Sequence, residues 1–366
     1  MTDILNIAGQ FNIEGKPGSF ERTGNGHIND SYRISIFPSG SPEYFLQRIN
    51  HHIFTDIPKL MENILKVTNH ISEKICSGIA GVPFSDLRLI PARNKNFFHT
   101  DEDGNYWRMF NYVGDSRSFD LVPGPELAYE GGKAFGLFLR LTSDMDVAGL
   151  TETIKDFHNI ETRLAAFHRI CIEDPCGRVN EVRDEIRFIE EREGDMHSIL
   201  KLGHSGQIPL RVTHNDTKFN NILFNSQDKA ICIVDLDTVM PGYVLFDFGD
   251  AIRTGANTGA EDEEDLRNVD INLDLFSAYG RGFLENAGAF LTEAEKAHLA
   301  FSARFMTFII GLRFLTDYLA GDKYFKTRHP AHNLHRAKAQ FKLVRSMEEN
   351  AIAMERIISD LCKLTN

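Results

Sequence analysis

The stretch "VTHNDTKFNN" sets His214, Asp216 and Asn221 in the spacing His-x-Asp-x-x-x-x-Asn. A carboxylate and an amide oxygen on one tight loop suit phosphoryl transfer. The Asp takes the proton of an attacking hydroxyl, and the Asn holds a divalent ion that neutralises phosphate charge. Directly downstream, "NILF", "NSQDK" and "AICIVD" read as strand, turn and strand. With the turn centred near Asp228, the hairpin register puts Asp235 opposite Asn221 and so delivers a second metal-binding oxygen. Asp237, two residues on and on the same strand face, is a possible second or outer ligand. The literal Asp-Phe-Gly that begins at Asp247 lies twelve residues beyond Asp235, and no local geometry returns it to the same point. Asp247 is therefore expected to be structural, either capping the helix that starts near "FGDAIR" or bracing the catalytic loop. Asp250 and Arg253 receive no assigned role.

Phosphates also need a cover and a cation. In "RTGNGHINDSYRI", Gly24, Asn25 and Gly26 lie between two strands, where flexible backbone lets N–H groups approach phosphate oxygens. Asn29 stands where a third glycine would complete Gly-x-Gly-x-x-Gly, and the chain contains no Gly-x-x-x-x-Gly-Lys-Ser/Thr loop. The strand "YFLQRIN" offers Arg48 as the phosphate cation, and the following helix offers Glu62 to hold it.

These residues need elements to position them. "SFERTG", "SYRISIF" and "EYFLQRI" alternate apolar and polar residues as half-buried strands do, and "NFFHTDEDGNYWRMF" reads as two strands closed at Asp103 and Gly104. Between them, Ile57, Leu60, Ile64, Val67, Ile71 and Ile75 recur at helical spacing after Asp56, with Pro58 in the first turn. From about Pro125 the period becomes helical, as in "PELAYEGGKAFGLFLRL", "ETIKDFHNIETRLAAFHRI" and "NEVRDEIRFIEERE". The expected fold is α+β and bilobal: a small β-rich lobe over 1–108, a connection over 109–114 and a large helical lobe over 115–366, with the ligand cleft between them.

Composition narrows the function. The 366 residues carry 40 Lys and Arg against 52 Asp and Glu, a net charge of −12, which argues against a polyanion such as DNA as partner. The N-terminus lacks a basic lead, and the apolar "FMTFIIGL" is too short to span a bilayer, so a cytoplasmic protein is expected. Five cysteines form no Cys-x-x-Cys pair, which fits reduced thiols. "HPAHNLH" spaces His329, His332 and His335 by three, but no Cys or carboxylate nearby in the sequence completes a zinc site. Metal binding there is not expected. The acidic run "EDEED" from Glu261 reads as a solvated loop.

"GNGHINDSYRI", "FLQRIN", "LMENILKVTNHI", "HNDTKFNNILF", "VDLDTVMPG", "FDFGDAIRTGANTGAEDE" and "LRFLTDYLAGDKYFKT" together resemble the aminoglycoside phosphotransferase and choline kinase superfamily, and within it the N-acetylhexosamine 1-kinases. The resemblance runs along nearly the whole chain. It implies a protein-kinase-like fold that uses ATP and magnesium to phosphorylate the anomeric hydroxyl of N-acetylglucosamine or N-acetylgalactosamine. It implies Asp216 as the catalytic aspartate, Asn221 and Asp235 as magnesium ligands, and Arg313 and Tyr324 as sugar contacts. Adenine would rest against the connection from Met109 to Tyr112. No obligatory protein partner is evident. The alternatives are another small-molecule kinase of the superfamily, acting on choline, homoserine, methylthioribose or an aminoglycoside, or a non-catalytic sugar or nucleotide sensor. A choline-type aromatic cage fits poorly with a single tryptophan, Trp107, placed in the small lobe.

Overall fold

The computed structural model describes residues 3–23, 29–38, 40–78 and 84–365. Gly24, Asn25 and Gly26 lie outside them. The first lobe contains α1 (Ile4–Ala8), β1 (Lys16–Arg22), β2 (Asp30–Phe37), β3 (Tyr44–Ile49), α2 (Ile57–Cys76), β4 (His99–Thr100) and β5 (Tyr106–Asn111). Its five strands form one antiparallel sheet in the order β1-β2-β3-β5-β4. The short helix α1 was not legible in the sequence. It packs on one sheet face, where Ile4, Phe11, Ile34, Leu46, Trp107 and Met109 form a core of their own.

The second lobe begins with α3 (Pro125–Thr142), α4 (Ile160–Glu173), α5 (Arg183–Glu190), α6 (Glu193–Met196) and α7 (Ser198–His204). Two short ribbons follow, β6 (Arg211–Thr213) with β9 (Met240–Gly242), and β7 (Ile222–Phe224) with β8 (Ala230–Ile233). Then come α8 (Val244–Gly255), α9 (Leu273–Ala287), α10 (Glu293–Leu319), α11 (His332–Glu349) and α12 (Ala351–Thr365). The fold is thus mixed α+β, a small antiparallel lobe against a larger helical one.

Two departures from the sequence reading matter for the site. Strand β5 continues to Asn111, so Met109 to Asn111 are sheet and the connection begins only at Tyr112. The segment "ETIKDFHN" is not helical. Asn159 accepts from the backbone N–H groups of Glu161 and Thr162 and so starts α4 at Ile160, leaving Phe157 and His158 on irregular backbone beside the catalytic loop.

The helix α10 contains "FMTFIIGL" and, at 27 residues, is long and apolar enough by length and composition to cross a membrane. However, 78% of its apolar window is buried inside the fold, so its hydrophobicity is explained by the core. All five cysteines are free thiols.

The helix α2 belongs to the small lobe by sequence and to the large lobe by contact. Its inner face, Ile57, Leu60, Met61, Ile64 and Val67, joins the principal core with Phe135, Phe138 and Leu236 of the second lobe. Asn63, 2% exposed, donates to the carbonyls of Thr151 and Val239 and accepts from the Thr151 N–H. Such a residue serves three backbone groups that would otherwise be buried without partners.

Candidate active site

The catalytic loop leaves β6 at Thr213 and is held by one carboxylate. Asp247, fully buried in the first turn of α8, accepts from the N–H of His214 at 2.9 Å and of Asn215 at 2.7 Å, while its carbonyl accepts from the Thr217 hydroxyl at 2.6 Å. Burial pushes its carboxyl up to about 7, against the pull of those two N–H groups. Of the two roles expected for Asp247, the structure gives bracing of the loop; the helix cap position is Tyr243. The rest of the Asp-Phe-Gly serves packing. Phe248 lies edge-on to Phe276, Tyr279 and Phe283. A Cβ on Gly249 would fall 2.2 Å from the Ser302 carbonyl, so only glycine lets α8 lie this close to α10.

His214 is a neutral clamp. Its Nε2 donates to the Val234 carbonyl at 3.0 Å, which leaves Nδ1 to accept from the Asp216 N–H at 3.3 Å. Burial between Phe135 and Phe138 lowers its pKa and keeps it in this tautomer. Asn215 beside it has a left-handed φ of 62°, which Asn tolerates better than most residues, and its side chain donates to the carbonyls of Thr213 and Thr238. Asp216 is thereby turned into the cleft.

The expected hairpin forms with its register displaced by one residue. Ile222 faces Ile233 and Leu223 faces Cys232, but a bulge then sets Phe224 opposite Ala230. Asn221 therefore meets Val234, whose N–H donates to the Asn221 carbonyl at 2.9 Å, and Asp235 follows directly in a left-handed conformation with φ 61°. The Asn221 amide donates to the Asp216 carbonyl at 2.8 Å, which directs its Oδ1 away from that contact. Asp235 accepts no hydrogen bond from the described residues; its side chain is open to the cleft, and the crowding of protein around it together with the charges of Asp237 and Asp216 pushes its carboxyl up to about 7. Uncompensated carboxylate and amide oxygens of this kind fit a hard divalent ion.

A pH prediction follows from Asp235. An ordinary Asp releases its proton near 3.8, so folding without metal retains a proton that the unfolded chain gives up. Stability of the metal-free protein consequently falls as pH rises from about 4 through 7. The opening of Asp235 to the cleft moderates the effect through solvent. Asp235→Asn should raise the metal-free Tm at pH 8, with the gain shrinking toward pH 5, while turnover is lost. An unchanged or lower Tm at pH 8 would contradict this.

Asp237 has a different task from the one expected. Its carboxylate accepts from Arg108 of β5 and, at 2.7 Å, from the Asn29 amide, while its carbonyl accepts from Thr153. Arg108 also donates twice to Gln47, which donates to Ser31. Arg108 and Asp237 are 1% and 3% exposed. A buried chain of polar groups thus ties the sheet to the floor of the cleft, and Asp237 is committed to it rather than free for a metal.

The Arg48–Glu62 pair does not form. Arg48 pairs with Asp30 and shares the sheet face of Tyr44 and Leu46, away from the cleft. Glu62 is more than half exposed and pairs with Lys66 one helical turn on. In each case the adjoining residue, Gln47 or Asn63, points inward, and Arg108 supplies the buried cation. Met109 is another correction: its side chain lies in the core beneath α1 and its carbonyl accepts from Ile90. The N–H of Tyr112 donates to Glu43, so sheet bonding occupies this donor too.

Asp216 has a second neighbour that the sequence reading missed, although it stands two residues on in the same motif. Lys218 lies 3.3 Å away, and the Asp216 charge raises its pKa above the usual lysine value. This places an ammonium beside the Asp216 carboxylate, where it could balance negative charge on a transferring phosphoryl group.

The far wall of the cleft combines cations and rings. The Arg313 guanidinium lies 4.9 Å from the Phe157 ring centre, 5.7 Å from Tyr324 and 5.6 Å from Phe325. It makes no hydrogen bond or ion pair with the described residues. Arg163, from α4, donates only to the Phe157 carbonyl. Burial and the nearby charge of Arg313 bring its pKa down to about 10, against the pull of Tyr324 and Asp156. The loop carrying Tyr324 is fixed by Asp317, which accepts from the N–H groups of Lys323, Tyr324 and Phe325. Between this wall and Asp216 stands His158, which donates to the Asn215 carbonyl. Its pKa is lowered to about 3, first by burial and then by Arg313 and Arg163, while Asp216 pulls the other way. A cavity of about 160 Å³ adjoins it, lined among others by Asp156, Phe157, Asn215 and Tyr243.

A family model described as the phosphotransferase enzyme family matches residues 21–282, well over half of the chain. The protein belongs to the phosphotransferase enzyme family. Three solved structures share the fold at low identity. An amicoumacin kinase bound to AMP-PNP, Ca²⁺ and its antibiotic superposes with a TM-score of 0.61 at 13% identity, covering 95% of this chain and 92% of its own. An aminoglycoside phosphotransferase from Alicyclobacillus acidocaldarius gives 0.56 at 12% identity, with 100% and 97% covered. An ethanolamine kinase from Plasmodium vivax gives 0.55 at 12% identity, with 88% and 82% covered. Membership of this family makes the chain a phosphotransferase, and the loop over 214–221 and the hairpin that follows it fall inside the matched region.

Proposed function

We propose that the protein transfers the γ-phosphoryl group of ATP to the anomeric hydroxyl of N-acetylglucosamine or N-acetylgalactosamine, giving the sugar 1-phosphate. One observation carries the acceptor class. Arg163 and Arg313 stand together near the cavity beside the 214–221 loop and make no ion pair among the described residues, although Asp156 acts on Arg163 through space, and they are framed by Phe157, Tyr324 and Phe325. Two such cations repel an ammonium, which counts against choline, ethanolamine and aminoglycosides. They suit a neutral sugar, whose hydroxyl and acetamido oxygens accept guanidinium hydrogen bonds while its C–H faces rest on rings. The choice of an N-acetylhexosamine among neutral acceptors rests on the sequence resemblance.

In the proposed reaction the acceptor oxygen forms a bond to the γ-phosphorus as the bond to the β–γ bridging oxygen breaks, with ADP as leaving group. Asp216 orients the hydroxyl and takes its proton. Lys218 balances charge on the transferring group, and Arg313 with Tyr324 holds the sugar for in-line attack. Asn221 and Asp235 would hold magnesium, whose chemistry is to neutralise phosphate charge. Gly24, Asn25 and Gly26 would cover the phosphates.

The test is ATP consumption by purified protein with N-acetylglucosamine, N-acetylgalactosamine, glucose, galactose, choline and ethanolamine, the product being identified by phosphorus NMR. Turnover should be greatest with an N-acetylhexosamine and the product should be an anomeric phosphate. Arg313→Ala should raise the sugar KM by about 10–100-fold, the worth of a hydrogen bond from a charged group, and leave the KM for ATP unchanged. No turnover with either N-acetylhexosamine would refute the proposal.

A further inference from the structure

We infer that Glu264, His329 and His335 form a binding site for one divalent transition-metal ion of the zinc class, separate from the phosphoryl-transfer centre. The carboxylate missing from the local sequence around "HPAHNLH" is supplied by the acidic loop some seventy residues upstream. The Glu264 Oε1 lies 3.3 Å from the His335 Nδ1 and 3.8 Å from the His329 Nε2. All three ligand atoms fall within 4.8 Å of one another. Tetrahedral zinc, with bonds of about 2.0–2.1 Å, sets its ligand atoms about 3.3 Å apart. Small side-chain movements therefore close the site.

Three further observations support it. The His335 Nδ1 is buried and makes no hydrogen bond despite its approach to Glu264, so an acceptor nitrogen stands ready there. The scaffold is already joined: His332, between the two ligands, donates from Nε2 to Asp262 at 3.0 Å and accepts at Nδ1 from the Arg328 N–H. Arg328, beside His329, pairs with Asp262 and makes no ion pair with Glu264. Finally, two imidazoles and one carboxylate select zinc-like ions over the hard ions that oxygen-only sites prefer. The exposure of Glu264 and His329 leaves the fourth position to water. Because Glu261 of the same loop pairs with Arg253, and because the Lys218 charge reaches that glutamate, bound metal would fasten a loop that borders the catalytic site.

The test uses the full chain, freed of metal by a chelator and dialysed into buffer with millimolar Mg²⁺. Zinc is then titrated in competition with a chromophoric chelator. One equivalent should bind. His335→Ala, His329→Ala and Glu264→Gln should each weaken it by more than the about 10–100-fold that loss of an outer-shell partner costs. Hydrogen exchange in the 260–265 loop should slow when zinc is added to the wild type and not to His335→Ala. Glu264 is exposed and both histidines are partly exposed, so the variants should match the wild-type circular dichroism and metal-free Tm. Wild-type binding no tighter than that of a His329→Ala/His335→Ala double variant would overturn the inference. So would zinc binding retained by all three single variants. Neither zinc titration nor hydrogen exchange requires turnover, so failure here is distinguishable from failure of the proposed reaction.

Discussion

Asp216→Asn should lower kcat by about 10³-fold, within the range that a positioned general base contributes, while leaving the KM for ATP and the Tm close to wild type. The substitution preserves shape. The loop is held mainly by other groups: Asp247 holds the N–H groups of His214 and Asn215, and Asn221 is anchored to the Asp216 carbonyl at 2.8 Å, while the carboxylate's own contacts with Asn221 and Lys218 are longer, at 3.3 Å. A structural role would instead appear as a lower Tm together with the loss of rate. Because His214 is neutral with its Nε2 proton given to Val234, its one lone pair is on Nδ1 and already accepts from the Asp216 N–H, so it cannot take over as base without losing that bond. The measurement is initial-rate ATP consumption at saturating sugar with a parallel thermal melt. A loss smaller than about tenfold would remove Asp216 from the role of base.

The second large effect is on stability. Arg108→Ala should destabilise the fold by about 3–5 kcal/mol, the cost of leaving one member of a buried ion pair without its partner. Asp237 would keep Asn29 but lose its charged donor, and the Gln47 carbonyl would lose both of its donors. Asp237→Ala should cost a similar amount. The double variant Arg108→Met/Asp237→Leu should lose much less than the sum, since no unpaired charge remains. Urea unfolding at neutral pH measures all three. A loss below about 1 kcal/mol for Arg108→Ala would mean that water satisfies Asp237 and that the lobes are not joined through it.

The contrast between these residues explains what the sequence could disclose. Asp216, Asn221 and Asp235 lie within a single loop and hairpin, where spacing and turn geometry act over short distances, and a one-residue bulge did not separate Asn221 from its neighbour strand. The strand and helix alternation of the small lobe was equally readable from its periodicity. Arg108 and Asp237 are 129 residues apart, and nothing in either local pattern marks them as partners. Arg48 and Glu62 show the limit most directly: each stands one position from the residue that faces inward, and residue type alone gives no strand face or helix phase. The missing carboxylate of the histidine run is the same problem, since Glu264 reaches His335 only through the packing of α11 against the loop. Phe157 and His158 were hidden by apolar spacing that resembled a helix until Asn159 was seen to start one.

The attachment of α2 to the large lobe has a mechanical consequence. A boundary drawn through the chain at residue 109 would assign α2 to a moving lid, yet Asn63 and the shared core weld it to the base. The sheet with α1 has an apolar interior of its own on one face, while Ile49 and Phe110 on its other face join the principal core. Its latch is the set of contacts from Arg108 and Asn29 to Asp237. In the proposed reaction, nucleotide entry and ADP exit would call for tilting this plate against a fixed beam. Weakening the latch should alter the rate of that tilt without changing the chemistry performed beneath it.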